Sequence, residues 1–401
     1  MPMPMLGKYK VSADRAVRRA AYEAEGKVFD ANRAELDEIY DKLVHNRNAQ
    51  GRMLGYPNFI QLGYDRLGRN CYGQKELAAF RDQIANEVKE AQRKRIGVDR
   101  LYIYDDKFRF PDGNPAPEGT AEEILAAGRR IYEELSPETK EFSDFLDGNE
   151  LLDVLSREGK APGGYCTMFE KYKAPFIFSN FNGTAGDVDV LTHEAGHAFA
   201  FYRAMNSDIY PDLREPTIEA CECHSMSMEF LTQDYHKYFF GAQTAKYELA
   251  HCEDSLDFIP YGCMVDEFQH LMYENEDLTP DERHGVWEKL EKKYRPWLSM
   301  DGLPFYGRYA HLQWKPHIYL NPLYYIDYCM AGTVAFQVWT LSLQDRRAAW
   351  EKYLAFVDQA GTKTFADLCQ SVGLRIPYED GCIREVGSGI RDWIRENSSD
   401  E

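Results

Sequence analysis

A chain of 401 residues with 28% charged residues has the composition of an ordinary folded protein, which excludes fibrous and disordered classes and leaves room for one large core or two smaller ones. Its formal net charge of −19 disfavours nucleic acid and anionic membrane surfaces as partners and suits a neutral or basic ligand better. The nine cysteines, odd in number and without regular spacing, read as reduced thiols rather than a disulfide framework.

The first eight residues hold no apolar signal-like stretch, and no apolar run of about 18 residues follows, so the chain is expected to be cytoplasmic, with its oligomeric state left open. From Ser12 to about Asp99 the pattern predicts successive amphipathic helices, followed by a short strand from Leu101 to Tyr104. Residues 111–119, with three prolines and two glycines, form the clearest loop. Thr120 with Glu123 is a capping box for a helix carrying Ile124, Ile131 and Leu135 at helical spacing. Ser136-Pro137 and Thr279-Pro280 mark two further helix starts, the second with Glu282 completing a box. Residues 174–181, rich in aromatics and bounded by Asn182-Gly183, predict a strand, and the pair Gly163-Gly164 before it a turn or mobile loop. The fold class is mainly α with a small β-sheet. Residues 1–150 form a helical part and 151–401 carry the candidate site, with no secure boundary between them.

The segment His193-Glu194-Ala195-Gly196-His197 is the most informative in the chain. Two histidines four apart on a helix stand one turn above each other, so both imidazoles can face one metal ion while Glu194 reaches its water. Gly196 inside that helix costs about 1 kcal/mol against alanine, so another backbone or a ligand is expected to come close there. A third protein ligand must come from elsewhere. Downstream of Pro216, a helical segment offers Glu219, Cys221, Glu222, Cys223, His224 and Glu229, and spacing alone does not choose among them.

Glu222 follows His193 by 29 positions and Glu229 follows seven later, an interval that resembles the zinc site of the thimet oligopeptidase and oligoendopeptidase F family. Residues 36–44, 174–189, 224–230 and 322–328 resemble oligoendopeptidase F segments as well, so the similarity covers nearly the whole chain. The resemblance implies a helical, zincin-like (gluzincin) catalytic domain, with one Zn2+ per chain held by His193, His197 and Glu222 and with Glu194 as general base. Glu229 or Asp189 would orient a ligand imidazole from behind. The same resemblance makes His317, Tyr325 and Tyr328 donors to the oxyanion or to substrate, although this chain lacks the glycine-rich loop of the thimet branch and has one residue fewer between His317 and Tyr328. It also makes residues 174–182 an edge strand to which an extended peptide adds, which names Asn180 and Phe181 as substrate contacts. Family members carry a helical segment ahead of the region where this chain begins, and that segment is expected to be absent.

The expected activity is therefore a zinc metalloendopeptidase cutting short, unstructured peptides. A zinc carboxypeptidase and a truncated, non-catalytic peptide-binding zinc protein are the alternatives.

Overall fold

The structure, a computed structural model, describes residues 3–83 and 88–398. It is mainly helical, as the periodicity predicts, and divides into two compact units. One comprises Met1–Lys8, Pro115–Glu253 and Met330–Glu401, and the other Tyr9–Asn114 and Asp254–Cys329.

The second unit begins with the expected helices, at Arg15–Ala31, Arg33–Met53, Phe59–Arg66, Gln74–Arg81 and Val88–Arg95. Positions 84–87 of that predicted run lie outside the described residues. The predicted strand after it is shorter than expected. Only Leu101–Tyr102 is extended, paired in parallel with Leu298–Ser299, and Ile103–Asp105 closes into a turn of 3-10 helix. Asp105 is the reason: its carboxylate accepts from the Tyr102 backbone N–H and from the guanidinium of buried Arg18 at 2.8 Å, which draws the chain inward after two residues.

In the first unit, Ala121–Leu135 starts at Thr120 with the predicted reciprocal cap, the Glu123 carboxylate accepting from the Thr120 N–H at 2.7 Å. Its apolar face, Ile124 and Ile131, packs with Val154, Val188 and Leu191 into one core. A three-stranded sheet lies beside it in the order Leu152–Leu155, Ala174–Phe181, Tyr165–Phe169. The predicted strand 174–181 is thus present but is the middle strand rather than an edge. It pairs in parallel on one side (Leu152 with Ile177) and antiparallel on the other (Tyr165 with Phe178). Alternation of buried and half-buried residues from Pro175 onward places Phe181, 7% exposed, in the hydrophobic core. Phe181 therefore packs in the core, toward which its position in the pleat turns it, and not on the open face where a substrate contact is expected.

Two helices follow: Gly186–Met205, with the histidine motif, and Ile218–Leu231, with the acidic candidates. They cross at Gly196. A methyl group there would stand 2.6 Å from Ser225 Cα and 2.7 Å from the His224 carbonyl oxygen, so the close approach expected of this glycine is made by the second helix's backbone. Gly196→Ala must push the helices apart and should cost about 2 kcal/mol as overpacking of a tight contact. Phe181→Ala should cost about 3 kcal/mol. Urea unfolding checks both, and a Phe181→Ala protein that is fully stable yet binds peptide poorly would restore Phe181 to the substrate surface.

Candidate metal site

The helix crossing places a carboxylate beside the motif histidines. Glu222 Oε2 lies 3.2 Å from His193 Nε2 and 3.5 Å from His197 Nε2. The three residues form a group whose ligand atoms all fall within 4.8 Å of one another. Of the six downstream candidates, only Glu222 joins both histidines in such a group among the described residues. Three of the others are turned to different work. Glu229 sits behind His193, the His224 ring packs edge-on to Phe356, and the Cys221 thiol faces the Pro216 carbonyl. Glu222 is itself oriented by Ser225, whose hydroxyl lies 3.2 Å from Oε2 and 2.9 Å from the Glu222 carbonyl.

Behind His193, the Glu229 carboxylate is 2.7 Å from Nδ1 with one oxygen and 2.7 Å from His251 Nε2 with the other. This bond fixes the ring and reserves Nε2 for the face shared with His197 and Glu222. Asp189, the competing candidate, accepts from the Tyr247 hydroxyl at 2.6 Å. His251 was not visible in the sequence as part of the site. It lies in the helix Thr244–Glu274 with no motif around it, and its only signal is proximity created by folding.

The electrostatics suit a cation. Burial works to protonate Glu222, but the facing His197 and His193 outweigh it and hold the carboxyl well below its ordinary range. Glu229 is likewise held at about 2, with burial outweighed by the hydrogen bonds from His193 and His251. His193 is drawn above its ordinary value, burial being overcome by Glu222 and Glu229. Glu194 differs from its neighbours: burial raises its pKa, opposed by His193 and His197, and its Oε2 is buried without a hydrogen-bond partner among the described residues. Two imidazoles, one carboxylate and an unspent buried carboxylate oxygen beside them fit a catalytic divalent metal with an open position.

The turn at Gly163-Gly164 lies against this group, because a methyl on Gly164 would stand 3.3 Å from Glu194 Oε1. Asn180 donates its amide N–H groups to the carbonyls of Ala161 and Gly163 at 2.8 and 2.9 Å, so it pins that turn, while its Oδ1 is buried without a hydrogen-bond partner among the described residues.

His317, Tyr325 and Tyr328 lie in the other unit and form one aromatic cluster. The His317 ring is 5.0 Å from Tyr325 and 6.1 Å from Tyr328, and the tyrosines are 5.5 Å apart. The segment is anchored by Asp327, buried against Arg69 at 2.6 Å, and by the Gln269 side-chain carbonyl, which accepts from the Leu323 N–H at 2.7 Å. The two tyrosines differ in access. Tyr328 and His317 are half-buried, whereas Tyr325 is 5% exposed with its hydroxyl accepting from Lys315 at 2.8 Å.

The model of peptidase family M3 matches residues 130–388 of this chain. The oligoendopeptidase F homolog of Borreliella burgdorferi is 23% identical over 303 residues, which is 73% of this chain and 50% of that protein. The chromosomal oligoendopeptidase F of Lactococcus lactis subsp. cremoris is 25% identical over 406 residues, 93% of this chain and 62% of that protein. This chain thus spans between half and two thirds of the curated relatives it matches. Among solved structures, that of PZ peptidase A with an inhibitor is similar at a TM-score of 0.97 and 46% identity, covering 100% of this chain and 72% of that one.

If Glu229 and His251 hold the His193 ring, Glu229→Gln and His251→Ala should each weaken divalent-metal binding about 10- to 100-fold. Competition with a chromophoric chelator measures this directly. Unchanged affinity in folded variants of both would remove the orienting role.

Proposed function

The chain belongs to peptidase family M3, and from that membership we propose that it is a zinc metalloendopeptidase that hydrolyses internal bonds of short, unstructured peptides. The observation that carries the reading is the group His193, His197 and Glu222 set beside a buried Glu194 with an unspent oxygen. His193, His197 and Glu222 would hold one Zn2+. When bound, zinc supplies a Lewis acid that polarises a carbonyl and lowers the pKa of a coordinated water to about 7.

The remaining steps fall to the side chains. Glu194 takes the proton from the attacking water and returns it to the departing amine, acting first as base and then as acid. Its raised pKa favours that double role, since a carboxylate with little affinity for the proton would not keep it until the amine leaves. Glu229 keeps His193 aligned, and His251 keeps Glu229 ionised and in place. His317 and Tyr328 are the proposed hydrogen-bond donors to the reacting carbonyl. Their half-buried rings support this, while Tyr325, buried and bonded to Lys315, braces the cluster.

An extended substrate needs an unpaired strand edge. Strand 174–181 offers no continuous one, since Ile177 and Phe178 in its middle are paired on both sides. Strand Tyr165–Phe169 pairs only with residues 174–178 among the described residues and follows the turn that lies against Glu194. Peptide is therefore proposed to add to that outer strand. No helix among the described residues is long and apolar enough to cross a membrane, which is compatible with the proposed cytoplasmic location.

Glu194→Gln should retain one zinc per chain while kcat/KM falls by about 10²–10⁴. Tyr328→Phe should lose about 10²–10³ in kcat, and Tyr325→Phe much less. Zinc analysis together with hydrolysis of a mixed peptide library tests these expectations. The peptidase reading fails if wild type and Glu194→Gln both hold zinc and are equally inert. Peptides blocked at both ends separate the modes: cleavage supports internal cutting, and cleavage only with a free carboxyl end supports a carboxypeptidase.

A further inference from the structure

The second unit contains a cavity of about 270 Å³, lined on one side by Tyr325. Three carboxylates line it, and all are engaged. Glu25 accepts from Lys10 at 2.5 Å and from the Tyr306 hydroxyl; Asp106 faces Lys89 at 2.8 Å; Asp257 takes Lys89 at 2.7 Å and Arg109 at 2.5 Å. Of the lining cations, Arg295 is spent on Glu291 at 2.5 Å, and Lys107 faces Asp254 at 3.3 Å.

Lys315 stands apart. Only 6% exposed, it has no carboxylate partner among the described residues. Its ammonium lies 4.6–4.9 Å from the ring centres of Tyr325, Trp314 and Tyr261, and it gives one hydrogen bond, to the Tyr325 hydroxyl at 2.8 Å. Aromatic faces ease the burial of a cation but accept no strong hydrogen bonds, so two of the three ammonium donors remain unspent. The same cavity is lined by His311, 4% exposed, whose Nδ1 is buried without a partner among the described residues. The wall therefore has its acids satisfied, one buried cation uncompensated and a second polar atom unmet. Burial, followed by Arg295 and Lys107, pushes the Lys315 pKa down to about 7, the response of an ammonium that lacks a counter-ion.

We propose that this cavity is a binding site for a small monocarboxylate with an apolar body, its carboxylate pairing with the Lys315 ammonium. An anion supplies the missing counter-charge, and the rings of Tyr22, Phe258 and Tyr261 with Ile103 receive the apolar part. The volume suits a ligand the size of one amino-acid residue and disfavours a nucleotide, and a dicarboxylate is disfavoured because Arg295 and Lys107 are already paired with carboxylates. The exposed side chains of Lys107 and Trp314 mark its mouth. The same chemistry is offered by the carboxyl-terminal residue of a peptide and by a free arylalkyl acid. The inference does not depend on the peptidase reading.

The test titrates the full zinc-loaded chain with N-acetyl-phenylalanine, its carboxamide and 3-phenylpropionate, followed calorimetrically. A carboxylate should bind at least 10-fold more tightly than the amide, and Lys315→Met should remove that difference. Tighter binding of the acetylated amino acid identifies a peptide end, and tighter binding of phenylpropionate identifies a free acid. A carboxylate can also bind at the metal group, so crystals soaked in 3-(4-bromophenyl)propionate locate it without any variant. Bromine beside Phe258 and Tyr261 supports the site. Equal binding of acid and amide, no binding of either, or bromine only at the metal group would overturn it.

Discussion

The backbones of helices Gly186–Met205 and Ile218–Leu231 meet at a point where one of them has no side chain. Gly196 is the residue before His197, and Ser225 is one turn after Glu222, so the contact fixes how far the carboxylate stands from both imidazoles. Any Cβ at position 196 would have to displace the Ser225 backbone or the His224 carbonyl. That carbonyl is also held from elsewhere in the unit, accepting from the Tyr353 hydroxyl at 3.0 Å. The second helix is thus fixed at its crossing point from two directions. A glycine that weakens its own helix by about 1 kcal/mol is retained where closeness of backbones, rather than helix propensity, decides the geometry.

What the crossing assembles is electrostatically one-sided. Two carboxylates, Glu222 and Glu229, grip opposite nitrogens of one imidazole, and each is held ionised by the histidines it faces. In a buried setting such a cluster is stabilised by positive charge, whether a proton shared among the histidines or a divalent cation in front of them. Glu194 shares the neighbourhood but not the hydrogen bonds, which explains why burial dominates its titration while pairing dominates that of Glu222. Two carboxylates pushed in opposite directions within one site have the environments expected of a proton carrier and a ligand.

How much of this was legible in the sequence follows the range over which each signal acts. The caps at Thr120 and Thr279, the loop at 111–119 and the pairing of His193 with His197 are set by residues within one turn of each other, and the structure contains them. Gly196 was readable as a site of close approach because its helical cost is local, but the identity of the approaching backbone was not. Whether strand 174–181 lies at an edge or in the middle depends on residues 152–155 and 165–169, whose short, polar-interrupted runs carry little strand signal of their own. His251 and Lys315 were invisible for the same reason. A lone histidine in a long helix and a lone lysine after a tryptophan acquire meaning only from partners far along the chain.

The middle position of Ala174–Phe181 in the three-stranded sheet decides what that strand does in the first unit. Because Ile177 and Phe178 are paired on both sides, Ala174–Phe181 presents no continuous free edge, and its alternation sends Phe181 into the core it shares with Val188 and Leu191. Val188 and Leu191 belong to the motif helix, so Phe181 helps seat that helix on the sheet. Asn180, its neighbour on the opposite face of the pleat, ties down the Gly163-Gly164 turn instead. The two residues thus act as supports, Phe181 packed against Val188 and Leu191 of the motif helix and Asn180 bonded to the turn that borders Glu194. Strand pleating sends adjacent side chains to opposite faces. One short segment therefore reaches both the core under the motif helix and the turn beside Glu194.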